Sequence, residues 1–294
     1  MREGNSGLVN AARQGCACHC QKMCKPKNLG QLALNKRSGR PSLKACDAQN
    51  WAIVVLMRLD FLSVRVVASP LQYLFGRRGM LASNAAEGGG FLRTRTELDR
   101  PDVQLTLLAG LKGTARAIPR EHGIMLMVSL LRPVSRGWVT LASGRPQSRP
   151  VLHPAFLEDR SEVQTLIAGV RETRRILAMS PIAEYLGAER TPGADVQSDA
   201  ELERVIRATL STVYHPVGTC KMGPSTDPQA VVDARLRVHG VKRLRVADAS
   251  IMPDIIGGNT SAPSMMIGER LASFILDDGH AATRSSPRPE AVVA

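Results

Sequence analysis

Tyr214-His-Pro-Val-Gly-Thr-Cys-Lys-Met-Gly223, Asp248-Ala-Ser-Ile-Met-Pro253 and Gly257-Gly-Asn-Thr-Ser-Ala-Pro263 follow one another toward the end of the chain. The first sets a histidine beside a proline where a helical pattern ends. The second puts an aspartate after a strand-like run, and the third leads an asparagine through a glycine loop into a helix opening at Pro263. These parts suit the handling of an alcohol and an anion. An imidazole, with an ordinary pKa of about 6.5, takes up a hydroxyl proton near neutrality. An amide can hydrogen-bond an alkoxide, and free N–H groups at a helix start favour negative charge. A lone histidine is more often structural, and it is the company of Asp248 and Asn259 that singles out His215. His239, in a turn between two strand-like runs, has no such company and is read as structural.

Working outward, Arg235-Leu-Arg-Val238 and Leu244-Arg-Val-Ala247 read as strands around a His239-Gly240 turn. Two helices precede them. One starts at Asp159-x-x-Glu162, with Val163, Leu166, Ile167, Val170 and Leu177 on one face. The other starts at a Ser198-x-x-Glu201 capping box, with Leu202, Val205, Ile206 and Leu210 as its apolar stripe. Asp102–Leu108 and His122–Leu131 read as strands, with 137–141 pairing to the second after a turn at 132–136. Gly88–Gly90 reads as a tight loop, and Trp51–Phe75 is apolar enough for a buried helix or strand. The final helix is expected from Pro263 to about Leu276, with Met266, Ile267, Leu271, Phe274 and Ile275 on its buried face.

The 294 residues suffice for one large domain or two ordinary ones, and 44% hydrophobic with 22% charged residues excludes a mostly disordered, collagen-like or disulfide-miniprotein chain. The net charge of +13 is uneven. Residues 1–50 hold nine Lys and Arg against Glu3 and Asp47, a net of +7, so the remainder carries only +6. The basic arm supports non-specific anion affinity, but without interleaved aromatics no specific nucleic-acid partner is expected. Five of the six cysteines also lie there. Cys16, Cys18, His19, Cys20 and Cys24 offer soft ligands, but not at the spacing of a folded zinc site, and no metal is assigned. Cys220 alone cannot form a disulfide framework. Met1–Cys20 has no secretory h-region, and the Trp51–Met57 run is too short to span a bilayer. A cytoplasmic protein with no transmembrane segment is the expectation.

His215-Pro-Val-Gly-Thr-Cys-Lys-Met-Gly, Leu236-Arg-Val-His-Gly-Val-Lys-Arg-Leu-Arg-Val-Ala-Asp-Ala-Ser-Ile-Met-Pro and Gly258-Asn-Thr-Ser-Ala-Pro together closely resemble the C-terminal part of the glucose-methanol-choline (GMC) oxidoreductases, in particular their choline dehydrogenase branch. Pro70-Leu-Gln-Tyr-Leu-Phe-Gly-Arg-Arg-Gly79, Gly90-Phe91 and Pro101-Asp-Val-Gln-Leu105 fit the family's middle, so the resemblance runs from about Leu62 to Leu276. It implies an FAD-dependent flavoprotein that oxidises a choline-like or other small alcohol to an aldehyde or ketone by hydride transfer to flavin, the electron acceptor being left open. It also implies His215 as the catalytic histidine that assists hydroxyl deprotonation, and Asn259 as the residue contacting the substrate oxygen. Asp248 and Ala249 would approach the FAD ribityl-pyrophosphate. Asn259 and Thr260 would lie by the flavin ring, with the following helix directing its positive end there.

The implied fold class is α/β: an α+β substrate-binding domain with an antiparallel sheet at 62–213, and the C-terminal piece of a Rossmann-like FAD-binding domain with the catalytic histidine at 214–276. A basic, Cys-containing disordered leader at 1–50 and a disordered tail at 277–294 would flank them. The family's G-x-G-x-x-G strand–loop–helix cradle for FAD has no counterpart in this sequence. The expectation is therefore a fragment of the family pattern that alone binds FAD weakly or not at all, with an exposed face where the remaining part would pack. The alternative from another class is a truncated remnant without catalysis that acts only through its basic anion-binding arm.

Overall fold

The computed structural model describes residues 42–45, 49–57, 63–84, 86–111 and 123–285. The Cys16–Cys24 cluster, most of the basic arm and the last nine residues lie outside them. Two compact units form.

One unit spans 47–135 and 156–214. Its six-stranded antiparallel sheet uses β2 (Gln49–Met57), β3 (Ala86–Leu92), β4 (Val103–Ala109), β5 (Gly123–Leu130), β8 (Leu186–Thr191) and β9 (Ser211–Thr212), β1, β6 and β7 belonging to the other unit. The order is β3-β4-β5-β2-β8, with β9 pairing the start of β2. Alternation sorts the central strands into two faces. Ile53 lies opposite Leu126, and Leu105 opposite Val128. These four, with Val55, Val103, Ile124 and Leu130, are buried. Ala52, Val54, Met125 and Met127, on the other face, are only half-buried.

Helix α2 (Arg160–Leu177; α1 is Ser63–Gly76) covers the buried face. Its Val163, Leu166, Ile167, Val170 and Leu177 form the stripe that the 3.6-residue period predicts, and all are buried. Each such side chain contributes roughly 1.5–3 kcal/mol. Helix α3 (Asp199–Thr209) adds Leu202 and Ile206, both fully buried, with Val205 and Leu210 packed at the margin. Its capping box is formed: Ser198 Oγ accepts from Glu201 N, and the Glu201 carboxylate accepts from Ser198 N at 3.1 Å. The Ser198 hydroxyl, then its amide, hold the Glu201 carboxyl below the usual carboxylate range. A half-buried fork ties α2 to β8, with Arg174 Nε and Nη2 donating to Glu189 at 3.0 and 2.8 Å.

The second unit gathers 136–155 and the chain from His215 onward, together with the first strand. A three-stranded antiparallel sheet runs β1 (Ser42–Ala45), β6 (Gly137–Thr140), β7 (Val151–His153). Trp138 stacks on its cross-strand neighbour His153, with ring centroids 4.8 Å apart. The last helix, α4, spans Ser261–Ser285.

Several expectations are corrected. The 137–140 strand does not pair with β5 but joins β1 and β7, so 136–155 leaves the 62–213 stretch and groups with the C-terminal unit. Residues within the expected leader form backbone structure, since Ser42–Ala45 is a strand and Gln49 begins another. Gly88–Gly90 is not a loop but part of edge strand β3, where a Cβ on Gly89 would overlap the Leu105 carbonyl oxygen; the glycine permits that close approach. Helix α4 opens two residues before Pro263 and continues past Leu276, through what reads in sequence as tail. Ile267 is buried on it, but Met266 and Ile275 are exposed. Arg235–Val238 and Leu244–Ala247 make a single bridge, Arg237 to Arg245, rather than strands. Further apolar side chains stand exposed on α1 (Leu71, Leu74 and Phe75) and α4 (Met265 and Leu276). Among the described residues no helix is long and apolar enough to cross a membrane.

Candidate active site

The C-terminal unit draws the three motifs together by two kinds of bond. Backbone bonds join the first to the second: Cys220 N donates to Ser250 O at 2.9 Å and Met222 N to Ile251 O at 2.8 Å. Side chains join the first to the third. His215 Nε2 lies 3.0 Å from Asn259 Nδ2, and His215 Nδ1 lies 3.0 Å from Thr260 Oγ1. The imidazole is thus gripped at both nitrogens by the two residues that immediately precede α4.

Local structure explains the aim of each group. Tyr214, just before His215, has φ 64°, a left-handed conformation rare for a bulky residue, and its N–H donates to Thr212 Oγ1 at 2.8 Å. Neither the strained turn nor the Thr212 contact has a sequence signal. Downstream, Lys221 Nζ donates to Asp227 Oδ2 at 2.7 Å, and Gln229 N donates to Asp227 Oδ1 at 2.8 Å, closing the loop that carries Cys220 and Met222. At the other end, Gly257 takes φ 75°, and Thr260 is buried with its carbonyl accepting from Ser264 N and Ser264 Oγ at 3.0 and 2.6 Å.

The predicted residues do not all converge. His215, Asn259 and Thr260 do. Asp248 instead caps its own turn, its Oδ1 accepting from Ser250 N at 2.8 Å, and Ala249 is the first residue of that short 3-10 turn, Ala249–Ile251. His239 Nε2 lies 3.0 Å from the Gly223 carbonyl, to which it donates, in keeping with its structural reading.

The Lys221 hydrogen bond, then that of Gln229, hold the Asp227 carboxyl below its ordinary value. A carboxyl whose folded pKa is depressed stabilises the fold above its unfolded pKa of about 3.9, and that contribution disappears as pH falls through the lower folded value. Asp227→Asn is therefore expected to melt below the parent at pH 6, the gap narrowing steadily toward pH 3 as both are followed by circular dichroism. A gap unchanged across that range would contradict the assignment.

The arrangement is a histidine and an amide side by side at the start of a long helix, beneath a glycine loop. Residues 133–268 match the GMC oxidoreductase family. The C-terminal part of the chain is thus similar in sequence to the C-terminal part of the GMC oxidoreductases. It is 41% identical over 227 residues to an alcohol dehydrogenase [acceptor] from Pseudomonas putida, covering 74% of this chain and 41% of that one. With the mitochondrial choline dehydrogenase of Mus musculus it shares 39% identity over 227 residues, 77% of this chain and 38% of the relative. The chain thus spans about two fifths of the length of these curated relatives. Among solved structures it resembles formate oxidase from Aspergillus oryzae RIB40, studied for modification of its FAD, with a TM-score of 0.69 at 24% identity over 80% of this chain and 47% of that one. That likeness shows the shared fold of mixed helices and antiparallel sheet.

Proposed function

We propose that this chain carries the proton-accepting side of an FAD-dependent oxidation in which a small alcohol, choline-like or another CH–OH donor, becomes an aldehyde or ketone. The observation that carries the reading is the pairing of His215 Nε2 with Asn259 Nδ2 at 3.0 Å, at the mouth of α4. Relatives named for alcohol and choline oxidation support the substrate class.

The residues present fit one side of a flavin. The N–H groups of the first helical turn lack intrahelical partners, so α4 offers positive potential at Ser261 and Ala262. A Cβ on Gly258 would meet nothing within 4 Å, so the approach is open. Asn259, Thr260 and this helix start would hold the ring edge, and the Asp248–Ala249 turn would approach the ribityl-pyrophosphate. When bound, FAD supplies the two-electron acceptor for the hydride leaving the carbinol carbon.

The protein's own part is the proton. A substrate hydroxyl entering between His215 and Asn259 exchanges their direct contact for one bond to each: its O–H donates to Nε2 and its oxygen accepts from Nδ2. The O–H bond breaks, the N–H bond forms at Nε2, and the electron pair left on oxygen is held by the amide as the carbonyl develops.

The test is the visible absorbance of the purified chain before and after addition of FAD and desalting. A retained flavin band, bleached anaerobically by choline or another small alcohol, would establish catalysis by this chain despite the missing G-x-G-x-x-G cradle. A protein that stays colourless at saturating FAD would overturn catalysis by this chain and leave the reading of a remnant without activity.

A further inference from the structure

We propose that Thr260 is a positioning residue that holds His215 in the tautomer with its proton on Nδ1, which leaves the Nε2 lone pair for the substrate hydroxyl. The consequence rests on the proposed role of His215 in proton transfer; the tautomer itself does not.

The orientation of the Asn259 amide decides the assignment. Asn259 presents its amide nitrogen to Nε2 at 3.0 Å, and an amide nitrogen only donates, so Nε2 accepts. A neutral imidazole has one N–H, which must then sit on Nδ1. The atom facing Nδ1 is Thr260 Oγ1, at 3.0 Å, and a hydroxyl oxygen can accept it.

Why a threonine at this place is available for the task follows from the helix start. Thr260 immediately precedes α4, the place where a threonine side chain ordinarily accepts from the N–H of the second or third helical residue. The third helical residue here is Pro263, which has no N–H. The hydroxyl faces the imidazole instead. Its direction is fixed: Thr260 is buried, β-branched with a stiff χ1, and its carbonyl accepts from both the amide and the hydroxyl of Ser264. Beside its expected place by the flavin ring, Thr260 thus has a second role that acts through His215.

The experiment is long-range proton–nitrogen NMR of the full chain uniformly labelled with nitrogen-15, with the His215 signals assigned by their loss in His215→Gln. Above the imidazole titration, the wild type should show a protonated-type Nδ1 and an unprotonated-type Nε2. Thr260→Val, which keeps the shape without the hydroxyl, should move the tautomer ratio toward Nε2–H by roughly fivefold, the bias of one ordinary hydrogen bond. Thr260→Ser should restore the wild-type pattern. A wild type protonated at Nε2 overturns the proposal, whether or not the valine variant folds, and so does a folded valine variant with an unchanged ratio. Because no flavin takes part, a chain that never retains FAD would refute the proposed activity and leave this result to stand or fall separately.

Discussion

Replacing Glu162 with alanine is expected to destabilise the sheet-and-helix unit by about 4 kcal/mol and to lower its melting temperature by roughly 10 °C. Glu162 is 2% exposed, in the first turn of α2, and its carboxylate serves the turn that follows β5. Oε1 accepts from Val134 N at 2.7 Å and Ser135 N at 2.8 Å, and Oε2 accepts from Ser135 Oγ at 2.7 Å. Ser135 Oγ in turn accepts from Asp159 N at 3.1 Å, so one side chain fastens the loop to the helix start. Alanine removes the carboxylate that these three donors share and leaves a void in its place. Glutamine keeps a carbonyl for the two backbone amides, and the serine hydroxyl can turn to accept from the new amide. Glu162→Gln should therefore cost only about 1 kcal/mol. Thermal melts of both variants check this, and an alanine variant that melts with the parent would show that the loop is held otherwise.

Glu162 also shows how much of the fold was legible in the sequence. Asp159-x-x-Glu162 reads correctly as a helix start, and Asp159 does cap it, its Oδ1 accepting from Ser161 N at 2.8 Å. Spacing alone, however, gives Glu162 a reciprocal capping role, whereas its side chain turns inward to a loop 27 residues away in sequence. The same division recurs. The stripes of α2 and α3 and the partial alternation in β4 are local periodicities, and they appear where the period puts them. The partner of β6 is a long-range choice between sheets, and no local pattern encodes it. The apolar Met266 and Ile275 had no such guide either: composition suggested a buried face, but only Ile267 in that first half of the helix is enclosed. In the candidate site the motifs named His215, Asn259 and Thr260, and the fold brings them within hydrogen-bonding distance. What the motifs lacked was the pattern of contacts: Asp248 is engaged by its own turn, and Thr260 by the imidazole.

The second large effect belongs to the two partly buried histidines, and it separates chemistry from structure. His215→Ala is expected to slow alcohol-driven flavin reduction by about 10²- to 10⁴-fold, the usual contribution of a positioned general base. The variant retains Asn259 and the start of α4, so flavin retention should change little while the rate collapses. Its stability cost should be modest, about 1 kcal/mol, because the Thr260 hydroxyl loses one partner. His239→Ala should behave in the opposite way. That ring donates to the Gly223 carbonyl and packs in the loop closed by Lys221 and Asp227, so its loss lowers the melting temperature while the reduction rate stays near that of the parent. Anaerobic stopped-flow reduction and thermal melts, run on both variants, read the two axes separately. A His215→Ala protein that reduces its flavin at the parental rate would remove the proton-accepting role from His215. A His239→Ala protein with an intact fold and a collapsed rate would transfer that role to the loop now read as structural.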